Sequence, residues 1–212
     1  MNSNMKRFIA VCIFLLSILS PNLSFGATSD AVDDFVRKVS SSMVSFSYSY
    51  SVNSKVKIQG SGNAIVQGEA FYMKGNGLEI WCNGKTRWTV DRASSEALIE
   101  SVGSIQDDYD TNPARIISSV SKVFHEVSEV KGKFHGKAVN IVTLSPKVRS
   151  SIKLLKLCFS GEKLIGAIAT VSDGTVTDFV ISNMAFKPKG SLSRFTLNEK
   201  NLGKAYVITD LR

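Results

Sequence analysis

The spacing of hydrophobic residues predicts a helix that leads directly into a strand near the start of the chain. Over residues 30–43, apolar side chains recur at intervals of three and four, as on one face of an amphipathic helix. From Phe46 to Val52, large apolar residues then alternate with small polar ones, the pattern of a strand with one buried face. The apolar positions of the helix are Val32, Phe35, Val36, Val39 and Met43.

Short apolar runs between turn residues predict a sheet in most of the remaining chain. Asn83-Gly84 is a strong hairpin dipeptide, and pairing across it places Trp81 and Trp88 on one face as diagonal neighbours. Gly60-Ser61-Gly62 reads as a break between strands. The predicted strands cover residues 46–52, 63–67, 71–74, both arms of a hairpin over 78–91, 97–102, 139–144, 152–159, 163–171, 175–186, 195–197 and 206–208.

A second helix is predicted in the middle of the chain. Asn112 is a suitable N-cap and Pro113 suits the first helical position. The apolar stripe of this helix consists of Ile116, Ile117, Val120, Val123 and Phe124. With no linker, repeat or low-complexity tract, we predict one mainly β domain over residues 27–212, with about ten antiparallel strands and two helices.

The first 26 residues have the organisation of a secretory signal. Lys6 and Arg7 precede a twelve-residue apolar run, and Ser24 and Gly26 supply small residues near its end. A membrane anchor is the alternative, but twelve helical residues span about 18 Å against a hydrocarbon core of roughly 30 Å. We therefore predict a cleaved signal peptide over residues 1–26 and a location outside the cytoplasm.

Charge and candidate chemistry narrow the function. Removing the predicted signal lowers the net charge from +8 to +6, with basic residues scattered along the chain. Export and this scatter argue against a nucleic-acid partner. We find no nucleophile, metal or phosphate-binding motif, and His125 and His135 read as surface residues. Cys82 and Cys158 are compatible with a disulfide or with two small buried strand residues. We predict no catalysis, no metal and no cofactor.

The amount of apolar surface leaves two interpretations open. The strands carry many aromatic and branched side chains, and two short helices are a modest cover for them. Either the sheet has an ordinary filled core, or it is concave and leaves an apolar cavity for a ligand beneath a helical lid.

An ordered set of short motifs resembles the LolA family, the periplasmic carriers of outer-membrane lipoproteins. The motifs run from Val39-Ser-Ser-Ser-Met43 and Phe46-Ser-Tyr-Ser-Tyr50 through Gly60-Ser-Gly62, Ala70-Phe-Tyr-Met73, Gly84-Lys-Thr-Arg-Trp88, Thr111-Asn-Pro113 and Leu144-Ser-Pro-Lys147 to Phe195-Thr-Leu197. The resemblance extends over residues 29–210.

The resemblance implies a fold and a function. We expect a single antiparallel sheet curved into an unclosed β-barrel, with short helices as a lid over its concave apolar face. The expected ligands are the acyl chains of lipoproteins or another lipid. A monomer would receive them from an inner-membrane transporter and release them to an outer-membrane acceptor. The expected cavity and lid residues are Phe46, Tyr48, Tyr50, Phe71, Met73, Trp88, Val36, Ile116, Ile117, Val120 and Phe124.

One departure from the family weakens the expected lid contact. Many members have a basic residue and proline before the Phe-containing strand, whereas Gln67-Gly68-Glu69 stands here. A loosely held lid, or a different cargo or acceptor, would follow. The alternative function is a periplasmic sensor or scaffold on the same fold, which detects lipid or lipoprotein and signals to a protein partner.

Overall fold

The computed structural model describes residues 30–53, 58–102, 124–147 and 150–212. Among these residues it shows one α-helix, twelve strands and two short 3₁₀ turns. The helix and strands are α1 (Asp30–Ser41), β1 (Ser42–Asn53), β2 (Ile58–Gln67), β3 (Ala70–Gly75), β4 (Leu78–Cys82), β5 (Thr86–Asp91), β6 (Glu96–Ser101), β7 (Phe124–Phe134), β8 (Lys137–Pro146), β9 (Ile152–Ser160), β10 (Lys163–Val171), β11 (Val176–Pro188) and β12 (Val207–Asp210).

All twelve strands belong to one open sheet. Their order is β12-β6-β5-β4-β3-β2-β1-β11-β10-β9-β8-β7, so β1 joins two antiparallel meanders at the centre. The pairing of β12 with β6 is parallel. The two edge strands of the described sheet, β12 and β7, are not paired with each other, and the sheet is an unclosed half-barrel as predicted.

The helix α1 covers one side of this sheet, which we call the helix face; the opposite side is the outer face. Val32, Phe35 and Val39 are each at most 3% exposed and pack into the core of the helix face. The predicted helix extended to Met43, but α1 ends at Ser41 and Met43 lies in β1. The hydroxyls of Ser40 and Ser41 donate to carbonyls three residues earlier, which satisfies the last helical turn.

The prediction that Gly60 and Gly62 break the sheet is wrong, because both lie within β2. They are paired with Tyr50 and Tyr48 of β1. A Cβ atom on Gly62 would lie 2.6 Å from the Tyr48 hydroxyl oxygen, and one on Gly60 would lie 2.5 Å from the Tyr50 ring. The glycines therefore leave the space that the two tyrosine rings occupy.

The predicted hairpin around Asn83-Gly84 is confirmed, with a change of register. The Asn83 side chain accepts hydrogen bonds from the backbone N–H groups of Lys85 and Thr86, each at 2.9 Å. Trp81 and Trp88 share a face but are directly opposite each other, not diagonal. The direct pairing follows from the three residues, 83–85, that connect β4 and β5.

Three further expectations are corrected. Phe124 begins strand β7 instead of ending a helix, and the whole of β7 was missed as a strand. The strand predicted at 195–197 is not present: Phe195 ends a 3₁₀ turn, Leu192–Phe195, and residues 196–197 belong to no strand. The last strand is parallel to its neighbour, whereas all strands were expected to be antiparallel. The predicted helix from Asn112 lies outside the described residues.

Candidate functional site

The helix face carries a continuous apolar cluster that extends across most of the sheet. Alternation along β1 directs Phe46, Tyr48 and Tyr50 towards this face, where they are 3–4% exposed. Phe71 and Met73 of β3 lie on the same face at 1–2% exposure. The structure thus brings together the predicted aromatic residues of β1 and the predicted residues of β3 in one cluster.

Two more predicted residues join this cluster, and three cannot be placed. Phe124, at the start of β7, is 1% exposed within it, and the half-buried Val36 of α1 packs against it. Ile116, Ile117 and Val120 lie outside the described residues. Aromatic residues that the sequence-based set omitted belong to the same cluster, namely Phe35, Phe159 and Phe179.

The helix α1 is small compared with the face that it covers. Its twelve residues measure about 18 Å, whereas twelve strands spaced about 4.8 Å apart extend over roughly 50 Å. Phe35 anchors it by an edge-to-face contact with Phe159 of β9, with ring centroids 5.8 Å apart. The helix is attached through one line of apolar side chains, because the other positions from Ala31 to Ser41 are exposed or half-buried.

A charged pair limits the apolar face on the β5–β6 side. Arg87 is paired with Cys82 across β4 and β5, so it shares the helix face with that buried thiol. Its guanidinium donates two hydrogen bonds to Glu100 Oε2, at 2.9 and 3.2 Å. At the opposite edge of the sheet, β7 places charged residues across from helix-face positions of β8. These residues are Glu126, Glu129 and Lys131. The apolar surface is therefore bounded by charges at both ends.

Thr89 places a buried hydroxyl on the helix face next to the apolar cluster. It is paired with Ile80 of β4 and is 1% exposed. Its Oγ1 has no hydrogen-bond partner among the residues that the structure describes. Burial of an unpaired hydroxyl is unfavourable, so Thr89 is a destabilising position on the helix face.

The predicted site residue Trp88 is on the other side of the sheet. It is buried on the outer face with Val90, Ala97 and Ile99. Leu197 and Leu202, from the segment after β11, cover it there. The Trp88 indole N–H donates to Glu199 Oε1 at 2.9 Å. Trp88 is therefore removed from the predicted cavity, and its neighbour Trp81 packs against the same outer cluster.

Gln67 fixes the segment after β11 to the sheet. Its side-chain amide donates to the Gly190 carbonyl and accepts from the Gly190 N–H, both at 2.8 Å. Gln67 is 7% exposed. Gln67 stands where members of the LolA family often have a basic residue next to proline. Here it holds the segment after β11, which we call the C-terminal segment, and the sequence did not reveal this contact.

The two cysteines of the described residues lie on opposite faces of the sheet and are not joined by a disulfide. Cys82 belongs to the helix-face cluster and Cys158 to an outer-face cluster around Phe134 and Val139. Burial, reinforced by the Asp178 carboxylate, raises the pKa of the Cys158 thiol to about 11. Of the two alternatives for this pair, the structure shows two buried thiols without a bond.

The described residues show neither a metal-ligand cluster nor a membrane-spanning helix. Searching residues 30–53, 58–102, 124–147 and 150–212 gives no group of three or more His, Cys, Asp or Glu side chains arranged to hold a metal ion. Within those ranges, no helix has the length and hydropathy needed to span a bilayer. His125 and His135 are exposed, as predicted.

No protein-family model matches the sequence, and no curated protein matches it. Solved structures do match the fold. An uncharacterized conserved protein from Thermus thermophilus has a TM-score of 0.54 at 8% identity, over 85% of this chain and 97% of that one. The low identity limits this likeness to the fold.

Two further structures have lower scores. A DUF1329 family protein from Desulfovibrio piger gives a TM-score of 0.45 at 13% identity, over 82% of this chain and 97% of that one. A LolA superfamily protein from Nitrosomonas europaea gives 0.43 at 10% identity, over 89% and 98%. LolA superfamily proteins are thus among the structural neighbours of the chain, as the sequence-based resemblance predicted.

Proposed function

We propose that this protein is a periplasmic carrier that binds the acyl chains of lipoproteins between α1 and the helix face. The observation that supports it is the continuous apolar cluster of an open sheet, which α1 partly covers and to which α1 attaches through Val32, Phe35 and Val39. On this proposal the protein performs no catalysis. It takes cargo from an inner-membrane transporter and passes it to an outer-membrane acceptor.

The energies are consistent with reversible binding. Burial of the three apolar side chains of α1 contributes about 5–9 kcal/mol. An acyl chain of about sixteen carbons gains roughly 12 kcal/mol when its methylene groups are buried. The chain can therefore displace the helix, and the cost of displacement leaves a net gain of only a few kcal/mol. A carrier needs such a balance, because cargo that is held too tightly cannot be released.

Release of lipoproteins from spheroplasts tests the carrier function. The purified protein is added to spheroplasts, and acylated lipoprotein in the soluble fraction is measured by immunoblotting. A variant of the cargo without the acylated cysteine is the control for non-specific leakage. We expect release of the acylated form only; no release of acylated lipoprotein would refute the carrier function.

Site-specific photocrosslinking tests where the cargo binds. A photoreactive phenylalanine analogue is placed at Val36, on α1 at the edge of the helix face, or at Ser49, exposed on the outer face. We expect an adduct with the acylated lipoprotein from position 36 and none from position 49. Equal adducts from both positions would contradict the proposed site. Crosslinking at 36 without release from spheroplasts would instead favour the sensor or scaffold function.

A further inference from the structure

The sheet divides between β10 and β11. These strands are paired from Gly166 opposite Val180 to Thr170 opposite Val176. Before Gly166, the residues of β10 are paired with β9 alone, and beyond Val180 the residues of β11 are paired with β1 alone, within the described sheet. We call this opening the fork.

A bulge on each strand widens the fork. The register of β10 with β9 shifts between Leu164 and Gly166, which leaves Ile165 as the extra residue. The register of β11 with β1 shifts so that Asn183 and Met184 together face the single residue Phe46, and Asn183 has φ +53°. Bulges bend strands and end their pairing, so the opening follows from the backbone conformation of both strands.

The fork contains a groove of about 700 Å³. Its apolar surface comes from Leu164, Ile165, Ile181, Met184 and Phe186. Leu164 and Ile181 also belong to the helix-face cluster, so the groove borders the apolar interior of the protein. The volume lies within the range of about 300–1,000 Å³ that is usual for small-ligand sites, and suits one alkyl chain.

The charged groups at the groove are mainly positive. Lys38 of α1 and Lys163 of β10 line it together with one carboxylate, Glu162. The Lys38 ammonium lies 4.9 Å from the centroid of the Phe186 ring. Among the described residues, neither lysine has a carboxylate within ion-pair distance. The groove therefore combines an apolar floor with two ammonium groups that an anionic ligand can neutralise.

We propose that the fork groove binds a long-chain fatty acid, with its alkyl chain on the apolar floor and its carboxylate at Lys38 and Lys163. This site is additional to the lipoprotein site and does not rest on it. The charge complementarity favours a carboxylate over an uncharged or cationic head group. The modest volume favours a single chain over a two-chain phospholipid.

Calorimetric titration of the purified protein tests the head-group preference. The ligands are myristate, tetradecanol and tetradecyltrimethylammonium, which share one chain length and differ in charge. We expect myristate to bind most tightly at a ratio of one per chain, with an affinity that falls as salt is added. Equal affinity for the anionic and cationic ligands would overturn the proposal.

Charge variants of the groove give predictions of opposite sign. Lys38→Gln and Lys163→Gln should each weaken myristate binding about threefold, and the double variant about tenfold, as expected for partly exposed ion pairs. Glu162→Gln should strengthen binding about twofold, because it removes a repulsive carboxylate. Lys137→Gln, an exposed lysine of β8 outside the groove, is the matched control and should leave the affinity unchanged.

A steric variant separates this groove from the lipoprotein site. Ile165→Trp fills the groove and should abolish myristate binding while lipoprotein release from spheroplasts continues. Thermal unfolding verifies that each variant is folded. If the folded Lys38→Gln/Lys163→Gln or Ile165→Trp variant binds myristate as tightly as the wild type, the proposal that the groove binds a fatty acid is overturned. Failure of lipoprotein release alone would refute only the carrier function.

Discussion

Replacing Gln67 should weaken the attachment of the C-terminal segment to the sheet. The Gln67 amide makes two hydrogen bonds of 2.8 Å to the backbone of Gly190, in a part-buried position. Gln67→Met keeps the length of the side chain and removes both bonds. A typical net contribution of about 0.5–1.5 kcal/mol for each bond predicts a loss of about 1–3 kcal/mol in the free energy of unfolding.

Gln67→Glu adds a pH-dependent test of the same contact. The carboxylate still accepts from the Gly190 N–H but faces the Gly190 carbonyl oxygen without a proton to donate. Burial and this repulsion favour the protonated form, which should raise the pKa of the new carboxyl group. The variant should therefore be less stable than the wild type at neutral pH and should recover as the pH falls and the proton is restored.

Urea unfolding followed by tryptophan fluorescence measures both effects against the wild type at each pH. Gln59→Met is the matched control, because Gln59 is an exposed glutamine of the same strand. We expect a change below about 0.5 kcal/mol there. A Gln67→Met variant as stable as the control, or a Gln67→Glu variant as stable as the wild type at neutral pH, would refute the reasoning.

Three further changes test other parts of the fold. Gly62→Ala should lower the free energy of unfolding by about 1–3 kcal/mol in chemical denaturation, because its Cβ would lie 2.3 Å from the Lys74 carbonyl oxygen. The control Gly203→Ala should be neutral in the same assay, because its Cβ would meet no atom within 4 Å. Thr89→Val should stabilise the protein by about 1 kcal/mol in the same assay, since its hydroxyl has no partner within the described part of the chain; a loss of stability would show that the hydroxyl has a partner. In a Cys82→Ser background, Cys158 should react with a thiol reagent at a rate that rises about tenfold per pH unit below its pKa of about 11. Asp178→Asn should lower that pKa and speed the reaction at pH 9, whereas a rate independent of pH would contradict the raised pKa.

The sequence predicted the elements whose burial is one-sided. β1 was recognised because Phe46, Tyr48 and Tyr50 alternate with serines, and that alternation is the direct result of one buried face. β7 was missed because it is an edge strand. Most of its residues from His125 to Lys133 are exposed, so no apolar period develops.

The sequence could not decide on which face of the sheet the paired side chains of a hairpin lie. The Asn83-Gly84 turn fixes Trp81 opposite Trp88, but either face could accept the pair. Leu197 and Leu202 decide it, because they cover Trp88 from a segment more than 100 residues away. The same limit applies to Gln67, whose partner Gly190 is 123 residues distant.

The central position of β1 sets an order of events in folding. The two meanders, β2–β6 and β7–β11, consist of neighbours in sequence and can form from local hairpins. The seam between β1 and β11 joins Tyr48 to Ile181 and Tyr50 to Phe179, across about 130 residues. β1 is the first of the described strands to be synthesised, yet it gains its second neighbour only after β11 is complete. Until then the tyrosine-rich edge of β1 and the facing edge of β11 are both open to pairing with other chains.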